Sequence, residues 1–208
     1  MPLNAPVKKT DYKPIDAGSY AARIYSVVDL GTHDATYEGK AVDPKRSIRI
    51  TWELPTELRK WEKDGQEQEA PTVIGNDYTL SLGKKANLRR VVECVIGTSL
   101  LDEEAEAFDV FDLVGMESLL SIVHATSKSN GNLYAKIQSI AKLPKGMTCP
   151  VAVNPPVKFN VNEWNQEVYE KLPEFLRKKI DESHEKTGKV AQVPTVFVDD
   201  ETGQELPF

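Results

Sequence analysis

Residues 84–96 read KKANLRRVVECVI, and within them the hydrophobic period of the chain changes. Leu88, Val91, Val92, Val95 and Ile96 recur at helical spacing, and Gly97 ends the run. On either side the period is two, which is the pattern of strands. Residues 18–30 (GSYAARIYSVVDL) predict a first strand, with Ala22, Ile24, Ser26 and Val28 on one face and Arg23, Tyr25 and Val27 on the other. Residues 46–54 (RSIRITWEL) alternate most cleanly. Ile48, Ile50, Trp52 and Leu54 share one face and Ser47, Arg49, Thr51 and Glu53 the other, so a half-buried strand with Trp52 in the core is expected. A third strand is expected over 72–81 (TVIGNDYTLS). The Gly-, Asp- and Thr-rich stretch 31–44 and the polar stretch 55–71 predict loops between these strands.

Past the helix, DEEAEAF (102–108) predicts a short acidic helix with a solvated face. Residues 117–126 (ESLLSIVHAT) and 133–143 (LYAKIQSIAKL) flank SKSNGN, whose Asn130-Gly131 pair suits a tight turn, so they predict a hairpin. The order is then three strands, a helix and two strands. That is the order of the OB-fold, a small five-stranded Greek-key barrel that often binds oligonucleotides. Residues 144–160 are punctuated by prolines and read as an extended connector. A C-terminal helix is expected over 163–186, divided by Pro173, with Trp164, Val168 and Leu172 on one stripe and Leu176 and Ile180 on another. The expected layout is a flexible leader (1–15), an OB-fold domain (16–146), a connector with its helix (147–186), and a linker with a disordered acidic tail (187–208).

With 40% hydrophobic and 28% charged residues, the 208-residue chain has the balance of a globular domain with appendages. Its net charge of −6 argues against a generally basic nucleic-acid coat, but Asp199, Asp200, Glu201 and Glu205 supply much of that charge from one end. Cys94 and Cys149 have no CxxC pairing, and His33, His124 and His184 are scattered. Reduced thiols in a cytoplasmic protein are therefore expected, with no zinc site. No apolar run is long enough for a membrane span. Phosphate-loop, dinucleotide, zinc-protease and nucleophile-elbow motifs are all absent, so neither an enzyme nor a cofactor is expected.

Binding a single strand requires cations along the phosphates and aromatic faces for unstacked bases. The candidates are Arg23 and Tyr25 on the first strand, Tyr37 in the first loop, Lys45, Arg46 and Arg49 at the second strand, Tyr78 on the third, and Tyr134 with Lys136 on the fifth. Lys84-Lys85, Arg89-Arg90 and Arg177-Lys178-Lys179 add basic clusters on the helices.

The last ten residues, DDETGQELPF, resemble the acidic tip of bacterial single-stranded DNA-binding proteins, which ends in aspartates and Pro-Phe. Here Thr202, Gly203 and Gln204 dilute the acids, and Leu206 stands before the proline. The body is similar to phage-encoded OB-fold single-stranded DNA-binding proteins in AGSYAARIYSVVDLGT (17–32), YTLSLGKKANLRR (78–90) and SIVHATSKSNGNLYAKIQSIAKLPKG (121–146). The resemblance implies a protein of phage replication or recombination that coats single-stranded DNA. It also implies recruitment of partner proteins through Asp199, Asp200, Glu201, Glu205, Leu206, Pro207 and Phe208, with Phe208 seated in an apolar pocket of the partner. Self-association into a homo-oligomer stays open. Two rival readings remain at this point. One is an OB-fold protein-interaction adaptor without nucleic-acid binding; the other is a metal-dependent nuclease using Asp29, His33 and Asp34.

Overall fold

A computed structural model of the chain describes residues 14–189 except 38, 64 and 130, without the side chains of Tyr37 and Lys63. It is mainly β. Strands β1 (Gly18–Tyr37), β2 (Lys40–Lys63) and β3 (Gln66–Thr79) form an antiparallel meander. Helices α1 (Asn87–Ile96) and α2 (Asp102–Ala107) follow, then strands β4 (Glu117–Thr126) and β5 (Leu133–Lys142), a short strand β6 (Val157–Phe159), and helices α3 (Gln166–Lys171), α4 (Glu174–Asp181) and α5 (His184–Thr187).

Hydrogen-bonded neighbours run in the order β3-β2-β1-β4-β5. β1 pairs along one edge with β2, and along the other first with β4 and then, in parallel, with β6. The expected barrel is not closed by strand pairing, because β3 and β5 do not pair among the described residues. α1 sits at that gap and touches both strands. Its buried Leu88, Val91, Val92 and Val95 seal the core where a ladder would otherwise have to close. Each such side chain contributes about 1.5–3 kcal/mol by leaving water.

The predicted faces of β2 hold. Ile48, Ile50, Trp52 and Leu54 are all buried, and Trp52 Nε1 donates to Ser118 Oγ at 3.1 Å. The faces predicted for β1 need correction. Tyr25 is an extra residue between the ladder positions of Ile24 and Ser26, and this bulge shifts the alternation. Val27 therefore joins Ala22 and Ile24 in the main core, while Val28 turns to the opposite side.

The two predicted loops are corrected as well. Residues 31–37 and 40–44 continue β1 and β2, and 55–63 and 66–71 continue β2 and β3, as two long ribbons. Gly39 and Gly65, with φ of 79° and 75°, sit at their tips. These ribbons are mostly polar, and their few large apolar side chains, Val42, Leu58 and Trp61, are exposed, so hydrophobic alternation could not reveal them. Backbone pairing holds their ladders, and Lys60 adds ion pairs to Glu67 and Glu69 at 3.5 and 3.3 Å across the second ribbon. The helices and the β4–β5 hairpin lie where the sequence predicts, and the 163–186 helix comes as three short pieces divided first at Pro173.

A second apolar cluster lies on the other face of the sheet. Val28 and Leu30 of β1 meet Phe159, Val161, Leu172, Leu176 and Ile180 from the C-terminal segment. Phe159, Trp164 and Tyr169 form a ring cluster there, with Phe159 and Trp164 edge to face at 5.3 Å. Strand β2, expected to be half buried, is thus covered on both faces over residues 48–54. Thr51 and Glu53, on its polar side, are also buried. No helix among the described residues is long and apolar enough to cross a membrane.

Candidate nucleic-acid interface

The polar face of β1–β2–β3 carries most of the cations expected to meet DNA, and the chain's own acids engage them. Arg23 donates to Glu117 at 2.6 Å and to the carbonyl of Pro150 at 2.9 Å. Arg46 donates to the buried Asp29 at 2.5 Å, and this hydrogen bond holds its guanidinium above the usual arginine pKa. Arg49 donates to Asp77 at 2.6 Å and to the carbonyl of Gly75 at 3.0 Å, and Phe175 of α4 covers it. The expectation that Arg49 faces solvent is therefore overturned, since α4 lies over it.

Asp77 is the hub of that contact, because Lys179 of α4 also donates to it. Burial is the largest single influence on its carboxyl and pushes the pKa up. The hydrogen bonds from Lys179 and Arg49 together outweigh burial and leave the pKa below the ordinary value. Glu53, fully buried on the same face, accepts from the backbone amides of Val153 and Asn154 at 3.3 and 2.9 Å and from Asn154 Nδ2 at 2.9 Å. It anchors the proline-rich connector to the sheet.

Asp29, His33 and Asp34 do not converge. Asp29 accepts from the amides of Gly31 and Val161 as well as from Arg46. His33 Nε2 lies 2.9 Å from the Leu30 carbonyl, and Asp34 binds His184 and Lys189 of the C-terminal segment. Among the described residues no three such side chains are gathered as a metal site.

The remaining candidates divide three ways. Tyr78 packs against the main core, and its hydroxyl accepts from Asn76 at 3.4 Å. Burial pushes its phenol pKa up. Lys45, Tyr134 and Lys136 are exposed, with Tyr134 and Lys136 on the solvent face of β5 while Ile137 points into the core. The backbone of Tyr37 ends β1 opposite Lys40, but its side chain lies outside the described residues. So do Asp199, Asp200, Glu201, Glu205, Leu206, Pro207 and Phe208. Of the helical basic clusters, Lys84 pairs with Asp102 at 2.9 Å, and the buried Arg89 ties α1 to Glu93, Asp102 and the Leu100 carbonyl. Arg89 therefore staples α1 to the start of α2.

One signal legible in the sequence escapes a strand-by-strand reading. From Ser118 to Asn162 there is no aspartate or glutamate, while Lys128, Lys136, Lys142, Lys145 and Lys158 all fall in that stretch. It covers β4, β5, the connector and β6. Lys142 donates to the Ile96 carbonyl at 2.9 Å, whereas the other four lysines are exposed and make no ion pair among the described residues.

Between the sheet and the C-terminal helices lies a cleft of about 680 Å³, bounded by Tyr25, Arg49, Val73, Lys158, Lys171 and Phe175. It contains two of the predicted residues, Tyr25 and Arg49. Burial, with the Glu53 carboxylate second, pushes the Tyr25 phenol pKa up, so it stays a neutral donor at ordinary pH. Lys158, Lys171, Val73 and Phe175 do not emerge from local pattern, because they meet only when α4 and β6 dock on the sheet. No protein-family model matches the chain, and no curated protein shows significant similarity to it.

Proposed function

We propose that this protein binds single-stranded DNA without regard to sequence, on a body of OB-fold type, as phage-encoded proteins of replication and recombination do. The observation that carries this reading is the acid-free stretch 118–162, with five lysines in a chain whose net charge is −6. An exposed aromatic, Tyr134, alternates with Lys136 on its β5 strand. Such a surface offers phosphates cations without competing carboxylates, and offers bases a face on which to stack. The strand order and the sharing of β1 between β2 and β4 support the OB assignment. Because Arg23, Arg46 and Arg49 are engaged by internal acids, Lys45, Lys136 and their exposed neighbours carry the phosphate contacts. The acidic segment 199–208 recruits replication or recombination partners and competes with phosphates for the same lysines.

The test is a titration of oligo-dT with the full chain and with a form lacking 199–208, followed by anisotropy at several salt concentrations. Binding should weaken steeply with salt. Removing the segment should leave affinity unchanged or higher while abolishing partner capture. Equal affinity for duplex, or no binding at low salt, overturns the reading; partner capture without DNA binding would point to an adaptor instead.

A further inference from the structure

We infer that the cleft between the β1–β2–β3 sheet and helix α4 is a nucleotide pocket, taking one base and its phosphate from the bound strand. This inference rests on the single-strand reading above and names a binding site within it. The cleft volume of about 680 Å³ lies in the range of small-ligand sites.

Three kinds of chemistry meet in the cleft. Tyr25, Ser26 and Thr51 line it, and their hydroxyls make no side-chain hydrogen bond to another described residue. Ser26 and Thr51 are nevertheless only 5% and 8% exposed, so these are held, inward groups and not surface decoration. Val73 and Phe175 form apolar walls and remain 43% and 51% exposed, large for residues of their type in a packed domain. Lys158 and Lys171 stand at the mouth without an ion-pair partner among the described residues.

The lining includes no aspartate or glutamate, and the half-buried cation Arg49 is already balanced by Asp77. Lys158 and Lys171 therefore leave two unbalanced positive charges at the mouth. A ligand complementary to this arrangement has a flat, largely apolar body, a hydrogen-bonding edge and an anionic group beside it. A nucleobase carrying its phosphate has all three. At the floor Gly75 lets β3 lie close on β2, since a Cβ there would lie 2.8 Å from the Ile50 carbonyl and 2.9 Å from Thr51 Oγ1. An acidic peptide with an aromatic residue would satisfy the walls and the mouth but leave the row of hydroxyls without matched partners.

The experiment uses the full chain and a dT oligonucleotide carrying 5-iodouracil, with photocrosslinking read by mass spectrometry and affinity read by anisotropy. Adducts are expected on Tyr25 or Phe175. Lys158→Glu combined with Lys171→Glu should weaken binding by roughly tenfold or more at low salt, and Val73→Trp, which fills the cleft, should remove those adducts. Both sets of changes are at exposed positions, and circular dichroism verifies folding. If the wild type binds but crosslinks only elsewhere, with both variants unchanged, the pocket is overturned and the single-strand reading stands. If charge reversal weakens binding without any adduct in the cleft, the mouth contacts phosphate alone and the base pocket is overturned. If a peptide of sequence DDETGQELPF binds in a manner abolished by Val73→Trp while DNA never crosslinks there, the occupant is an acidic peptide. Failure of the wild type to bind oligo-dT at all overturns both inferences together.

Discussion

The guanidinium of Arg49 lies 5.1 Å from the centroid of the Phe175 ring, so helix α4 covers the cation that the β2 alternation points toward solvent. A cation over an aromatic face at this range is worth about 0.5–1 kcal/mol where partly exposed. A double-mutant cycle of Phe175→Ala and Arg49→Leu, followed by urea unfolding, should return a coupling energy of about that size. Additive losses would mean that the two side chains are merely neighbours.

Asp77 links Arg49 to Lys179 and thereby ties α4 to β3. Its carboxyl pKa is lower in the folded chain than in the unfolded one, so its contribution is fully present above the unfolded value of about 3.9. That contribution is lost as pH falls below this value and through the folded pKa. Asp77→Asn should therefore be less stable than the wild type at pH 6, with the difference closing below about pH 4. Thermal unfolding across this range measures it, and a gap that persists at pH 3 would assign the effect to packing.

Glu53 makes a different kind of anchor, because all of its partners are donors. Glu53→Gln turns one acceptor oxygen into an NH₂ group facing N–H groups, in a site with no access to water. The loss should be about 1–3 kcal/mol. Hydrogen exchange should locate it in the amides of Val153 and Asn154.

Gly31 touches the last helix more closely than any side chain could. Its φ is +79°, and a Cβ on it would lie 2.5 Å from Ser183 Cβ. Gly31→Ala combines a left-handed backbone with a clash and should cost at least about 2 kcal/mol. The damage should center on α5, where Glu185 accepts from the amide and hydroxyl of Thr32. Protease cleavage near residues 183–189 should become faster in this variant.

Much of the fold is legible in local pattern. The period change at 84–96 identifies α1, the alternation over 46–54 assigns Trp52 to the core, and Asn130-Gly131 marks the β4–β5 hairpin. The ribbons of 31–44 and 55–71 escape, because exposed strands show no apolar alternation and their ladders depend on backbone hydrogen bonds. The bulge at Tyr25 escapes too, since one extra residue exchanges Val27 and Val28 between faces without altering composition.

At the candidate site, local pattern is enough to show which side chains of β2 share a face and that residues 118–162 carry lysines without acids. Both properties are local, set by the two-residue repeat of a strand and by the order of charges. What covers the polar face depends on contacts between segments distant in the chain. The C-terminal stripe of Leu172, Leu176 and Ile180 needs an apolar surface, and Val28 and Leu30 supply one only because the Tyr25 bulge turns them outward. Docking there brings Lys179 and Phe175 to the cross-strand pair of Arg49 and Asp77, and it opens a cleft whose walls come from segments far apart in the chain. Alternation along a strand says which side chains point together, and the long-range packing of a second apolar stripe says what they meet.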